Sequence, residues 1–301
     1  MEDPMAGRIL IFANKSWEAD PLVGVLRNPH AAPANLLPLD SLPQVTVPLH
    51  DGGTKQVSAR LAWRTANATA ELWCIRDLMD CTRSPSSSEE KARVIPVVVA
   101  GGPAPTLVVA FGTASFPDAR SFNGCVVVGT QVFVHNPHPH NKPNRESNWI
   151  RPEFDELLAP TKALPDSLWS SLDRDLRPVC ESRFLSPPLN AANPPVLLVS
   201  SDYVALSDVN VTKPADYVWA DRRAMQAMHE AGVNAPVGSM ETTHGVIRLA
   251  APSEQFLFFS GIANRLGYFN SEVAPRAYAQ NFAASHNAGI ALAYALPLLM
   301  V

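Results

Sequence analysis

Short apolar strings recur along this chain, each closed by polar or small residues, and stretches with helical spacing lie between them. Residues 8–13 predict a buried first strand, and 15–22 a helix with Glu18 near its start. Residues 45–49 predict a strand closed by an Asp51-Gly-Gly53 turn. The stripe Leu61, Trp63, Leu72, Ile75, Leu78 predicts a helix over 59–79, followed by a polar loop at 84–90. Residues 94–100 and 107–111 are near-continuous apolar runs, which suit interior strands covered on both faces. Residues 125–128 and 132–134 predict another strand pair. A Pro/Asn/His-rich ordered loop follows at 135–152, then helices at 153–158 and 164–176 and a Pro-rich excursion at 177–195. Strands at 196–202, 236–240 and 256–262 alternate with helices at 216–231, 242–250 and 277–296.

Apolar strands interleaved with helices predict an α/β protein. We expect a three-layer α/β/α arrangement with a central mixed twisted sheet, organised as a single domain over 1–301. Composition narrows the class. Of 301 residues, 47% are hydrophobic, enough for a sizeable core. The net charge is −4 with no basic block, which argues against nucleic-acid binding. Cys74, Cys81, Cys125 and Cys180 show no CxxC spacing, which favours a reducing cytoplasm over a disulfide scaffold. The apolar tail at 288–301 is too short to span a bilayer and contains Pro297, so no membrane association is expected.

The chemistry-bearing positions are few. The sequence has no GxGxxG after the first strand, no Walker A, no HExxH and no GxSxG. His135, His138 and His140 alternate in a Pro-rich stretch with no carboxylate before Glu146. They read as a polar loop over a pocket or as a metal site, and we expect no metal and no cofactor. Glu241 follows a strand of small and apolar residues, at the sheet edge where α/β ligands bind. A carboxylate there can accept from two adjacent sugar hydroxyls, or can simply complement a helix N-terminus. Glu18 reads as a general base that activates water or as an ordinary first-turn Glu. Asn264 ends a strand and reads as a contact to a base edge or as a turn former. Thr113, Ala114 and Ser115 end another strand in small residues, which brings backbone N–H groups near a ligand.

In order and spacing, five segments resemble the nucleoside phosphorylase/nucleosidase superfamily, and most closely its methylthioadenosine/adenosylhomocysteine nucleosidase branch. They are Trp17-Glu18, Phe111-Gly-Thr-Ala-Ser115, Leu198-Val-Ser-Ser-Asp-Tyr203, Ser239-Met-Glu-Thr-Thr243 and Ser260-Gly-Ile-Ala-Asn264. The likeness covers most of the chain and implies a phosphorylase/hydrolase-like fold. It implies that Met240 and Glu241 hold a ribose, that Glu18 positions the attacking water, and that Asn264 faces the base. Asp202, Tyr203 and Val204 would line the base, with Asp202 a spare proton source. The nucleosidases carry an Asp where this chain has Asn264, and an amide cannot supply a proton. Asn264 would instead donate to a carbonyl, tilting the substrate toward 6-oxopurines or unusual bases.

The phosphorylases carry an Arg at the position of Ala110; Arg8, Arg27 and Arg265 are other candidate phosphate contacts, but none sits on a matched motif position. Hydrolysis of the N-glycosidic bond of a purine or modified nucleoside is therefore expected ahead of phosphorolysis. A non-catalytic nucleoside-binding or storage protein is a third reading. The expected partners are a small-molecule nucleoside, phosphate in the second reading, and further copies of the chain, as a homo-oligomer and by preference a dimer.

Overall fold

The computed structural model describes residues 7–28, 41–80, 88–118, 120–136, 155–209, 217–273 and 277–301. Its elements, in chain order, are β1 Gly7–Ala13, α1 Ser16–Arg27, the hairpin β2 Gln44–Pro48 and β3 Thr54–Ser58, β4 Leu61–Arg64, β5 Ala68–Cys74, α2 Ile75–Leu78 and α3 Ser88–Ala100. Then come β6 Leu107–Phe116, β7 Val126–Gly129, β8 Gln131–His135, β9 Asp155–Leu158 and α4 Asp166–Ser170, which runs through a π-helical turn Ser171–Leu176 into α5 Arg177–Glu181. The last third holds β10 Leu197–Val199, β11 Val204–Asp208, α6 Tyr217–Glu230, β12 Val237–Glu241, α7 His244–Ala250, β13 Gln255–Arg265, α8 Phe269–Glu272 and α9 Ala277–Leu299.

Among the described residues, eleven strands form one mixed, largely parallel sheet. Its long path runs β10-β7-β13-β6-β12-β11-β8-β9, and a branch β4-β5-β1 joins at β6. The branch makes a fork. The first half of β6 pairs with β1, as far as Ala13 opposite Phe111. Beyond that point β12 takes over, with Met240 opposite Ser115. On its other side β6 follows β13 in parallel along its whole length.

Side chains alternate across this sheet and both faces are dry. Ile9, Ile11, Val109, Phe111, Leu257 and Phe259 face one apolar layer with α1, α4, α5 and α9. Leu10, Phe12, Val108, Ala110, Phe256 and Phe258 face the other, with α3, α7 and the β2–β3 hairpin. A third cluster seats α6 on β8, β11 and β12 through Phe133, Leu206, Ala224 and Met228. Burial on both faces explains why these strands are continuous apolar runs.

Four expectations are corrected. The 59–79 segment forms β4, β5 and the short α2, because Thr65 and Asn67 turn the chain and β5 pairs with β1 and β4. Residues 94–100 belong to α3, whose Val94, Ile95 and Val98 are buried while Pro96 faces out. Residues 155–158 form β9, antiparallel to β8. Strands β7 and β8 exist but do not pair with each other: β7 lies between β10 and β13, and β8 between β9 and β11.

The Pro-rich segment after α5 runs back along α9. Asn287 donates to the Gly124 and Leu185 carbonyls and accepts from Leu185 N–H. Gln280 serves Leu189 in the same way. Buried amides on a helix thus satisfy backbone that has no strand partner. The closing helix is longer than the apolar tail suggests. Tyr278–Leu299 reaches membrane-spanning length and composition: an 18-residue window within it has a mean hydropathy of 1.2, and 67% of that window is buried inside the fold. Gly261 permits its approach, since a Cβ there would collide with the Ala284 carbonyl. Most of the 135–152 loop, with His138, His140 and Glu146, lies outside the described residues, as does Cys81.

Candidate active site

A cavity of about 280 Å³ opens at the fork, at the carboxyl ends of β1, β12 and β13 and beside the second half of β6. This is where parallel α/β sheets leave room for a ligand. Its wall takes Glu18, Lys91, Ser115, Asp221, Glu241 and Asn264.

Glu18 enters from the first turn of α1 and is 3% exposed. Its Oε1 accepts from Thr113 N–H at 2.7 Å and from Thr113 Oγ1 at 2.9 Å, and its Oε2 accepts from Lys15 N–H at 3.0 Å. Gly112 lies close beside it: a Cβ there would stand 3.1 Å from Oε1. Burial raises the Glu18 pKa above the usual carboxylate range, and the Thr113 and Lys15 hydrogen bonds and the charge of Lys91 pull it back.

Glu241 closes β12. Its Oε2 accepts from the N–H groups of Thr243 and His244, the latter at 2.7 Å, which fixes the carboxylate against the start of α7. Its Oε1 is buried with no partner among the described residues. His244 Nδ1 lies 3.8 Å from that oxygen, and burial holds the imidazole below its ordinary pKa against the pull of Glu241. Lys91, buried on α3, donates to Thr243 Oγ1 at 2.8 Å. Burial and then Lys15 push the Lys91 pKa down to about 8, opposed by Glu241 and Glu18.

Asn264 is 3% exposed and stands opposite Ser115 because the β6–β13 register shifts by one residue between Ile262 and Asn264. Its Nδ2 donates to Ser115 Oγ at 2.7 Å and to the Arg265 carbonyl at 3.0 Å. A carbonyl only accepts, so this contact fixes which end of the amide is nitrogen. Both amide hydrogens are used, and Oδ1 is the atom left for a ligand. In this arrangement the Asn264 amide nitrogen is engaged by protein acceptors.

Two carboxyl groups that the sequence reading passed over stand beside the cavity. Asp208 ends β11 and Asp221 lies on α6, and they are 1% and 5% exposed. The pair is hydrogen-bonded, and burial followed by the neighbouring Asp221 raises Asp208 well above the carboxylate range. Burial raises Asp221 as well, while the bond from Asp208 lowers it.

The structure brings Glu18, Thr113, Ala114, Ser115, Met240, Glu241 and Asn264 to one cavity. It does not bring Asp202, Tyr203 and Val204 there. Asp202 is exposed in a turn, and Tyr203 and Val204 stand at the opposite end of β11, with Val204 paired to Gln131. The physical reason is the direction of β11, whose cavity end is Ser207-Asp208. Arg8 is no phosphate contact either. It sits at the far end of β1, bound to Glu71 and to the Val98, Val99 and Pro103 carbonyls. Arg265 pairs with Glu272 and lies 3.9 Å over the Tyr268 ring. His135 hydrogen-bonds Asp155 through Nδ1.

No protein-family model and no curated protein matches the chain. Solved structures do. The S-adenosylhomocysteine nucleosidase of Streptococcus pyogenes, in complex with 5-methylthiotubericidin, superposes with a TM-score of 0.55 at 12% identity, over 98% of each chain. The 5′-methylthioadenosine nucleosidase of Arabidopsis thaliana gives 0.53 at 11%, over 98% of this chain and 96% of that one. The 5′-methylthioadenosine/S-adenosylhomocysteine nucleosidase of Neisseria meningitidis, in complex with methylthio-immucillin-A, gives 0.53 at 11%, over 96% and 98%. The chain therefore has the fold of the nucleoside phosphorylase/nucleosidase superfamily.

Proposed function

We propose that the protein hydrolyses the N-glycosidic bond of a nucleoside. The observation that carries this reading is the Glu241 carboxylate: one oxygen is held by two backbone N–H groups and the other is buried, unpartnered and on the cavity wall. A buried carboxylate oxygen without a donor is costly, and a ribose diol supplies two adjacent donors. As the base departs, the sugar gains positive character and its hydroxyls become better donors, so this contact strengthens in the transition state. Glu18, held by Thr113, accepts a proton from the water that attacks C1′. Asn264 Oδ1 accepts an N–H from the edge of the base, which suits a 6-amino group or a protonated ring nitrogen better than a bare 6-oxo group. The solved nucleosidases with this fold, described with methylthio-nucleoside analogues, support the reaction class.

The test is incubation of the purified protein with a nucleoside panel, with and without phosphate, resolving ribose from ribose-1-phosphate. Free base and ribose in phosphate-free buffer are expected. Strict dependence on phosphate would move the reading to a phosphorylase. Thermal stabilisation by a nucleoside with no product would move it to a binding protein.

A further inference from the structure

An amide at position 264 leaves the departing base without the acid it needs. Purine anions are poor leaving groups, so a proton must reach a base nitrogen as the C1′–N bond breaks. Of the buried carboxyls on the cavity wall, Glu18 and Glu241 are committed to backbone donors. Asp221 is the third. It is 5% exposed, its Oδ2 has no partner among the described residues, and it lines the cavity. Behind it Asp208, also buried and with an unpartnered Oδ1, completes a carboxyl pair. Two carboxyls in hydrogen-bonding contact and shielded from water cannot both be anionic, so the pair retains a proton where an isolated surface Asp would not. Asp221 and Asn264 line the same cavity, and Val218 and Arg222 on the helix of Asp221 approach Gly267, three residues beyond Asn264.

We propose that Asp221 is the general acid of this site, backed by Asp208, and that it replaces the acid missing at Asn264. The proposal rests on the nucleosidase reading above. In the step, the C1′–N bond breaks and its electron pair passes to the base. The Asp221 proton goes to a base nitrogen while Asn264 Oδ1 holds a base N–H. Water adds to C1′ and loses its proton to Glu18. Proton exchange with solvent then restores Asp221 and Glu18, so the sum is nucleoside plus water giving ribose and free base.

The titratable groups around the pair are Asp155 on β9 and Glu241 on β12, both of which raise Asp208, and His135 on β8, which faces Asp208 across the ladder and hydrogen-bonds Asp155. Burial places Asp221 at about 7, so its donating form is present below that pH and is lost above it.

The test compares a nucleoside with 4-nitrophenyl β-ribofuranoside, whose leaving group needs no proton. In the wild-type protein the nucleoside rate is expected to fall as pH rises through about 7, and the nitrophenyl riboside rate is expected to lack that limb. D221N is expected to lose on the order of 100-fold or more in kcat on nucleosides and to keep nitrophenyl riboside cleavage within about threefold. The wild-type comparison stands whether or not D221N folds. Equal losses on both substrates in D221N, or the same falling limb for both in the wild type, would overturn the acid and leave the nucleosidase reading intact. A wild-type protein that cleaves neither substrate would overturn the nucleosidase reading itself, and the acid with it.

Discussion

Glu241→Gln is the most informative single change, because the structure dictates how the new side chain must sit. Glu241 Oε2 receives the N–H groups of Thr243 and His244. A glutamine has one oxygen and must turn it toward these two donors. Its NH2 group is then forced into the place of Oε1, the buried and unpartnered atom on the cavity wall. Under the proposed reading, a sugar hydroxyl that would meet the carboxylate oxygen then meets a donor. A hydrogen bond to a charged group contributes about 1.5–3 kcal/mol, so losing two from a diol removes roughly 3–6 kcal/mol. At about 1.4 kcal/mol per decade this is a fall of roughly 10²- to 10⁴-fold in kcat/KM. The assay is steady-state release of base, run beside a 2′-deoxynucleoside whose penalty from the same substitution is expected to be smaller. The backbone contacts at Oε2 survive, so the Tm is expected to stay close to that of the wild type. E241Q with kcat/KM within about threefold of wild type would refute the diol clamp.

Three other outcomes follow from the packing. Glu71→Gln leaves the Arg8 guanidinium, 4% exposed, without its counter-charge. The expected loss of about 3–5 kcal/mol, with roughly 2.1 cal/mol/K per residue of unfolding entropy, lowers the Tm by about 5–8 °C in calorimetry. A change of about one degree would contradict a buried ion pair. Gly261→Ala is expected to cost about 1–3 kcal/mol by driving the closing helix off β13, whereas Gly24→Ala, with open space around its Cβ, is expected to be neutral or stabilising. Equal Tm values for the two variants would contradict the close approach. Lys91→Met removes a positive charge that lowers the Glu18 pKa. Glu18 then ionises at higher pH, and the rising limb of the kcat/KM–pH profile moves upward; an unmoved limb would show that Glu18 is not the group behind it.

Much of the architecture is legible because both faces of the sheet are buried. Residues 8–13, 107–111 and 256–262 announce themselves as apolar runs, and the candidate residues at their ends follow. Where the sequence misleads, burial is again the reason. The Ala/Leu/Arg-rich 59–79 segment has helical composition, yet β5 is held by pairing with β1 and β4. The Val-rich 94–100 run looks like a strand, but only Val94, Ile95 and Val98 are fully buried, the spacing of one helix face. Asp208 was recoverable, since it ends the apolar run Val-Ala-Leu-Ser just as Asp202 ends the preceding one. Lys91 and Asp221 were not. Lys91 follows two glutamates and Asp221 precedes two arginines, settings that read as solvated surface until tertiary packing buries them.

The one-residue shift between β6 and β13 decides which side chain stands opposite Ser115 on the cavity wall. Asn264 meets Ser115 only because Ala263 is skipped by the ladder. In an unshifted pairing Ala263 would stand opposite Ser115, Asn264 would fall beside Phe116, and the pocket would exchange an amide for a methyl group with no change of sequence. Chains that differ here by a single inserted or deleted residue would then diverge in the ligand they accept more than chains that differ by many substitutions elsewhere. Comparing them requires aligning the slip of the strand before asking which residue it presents.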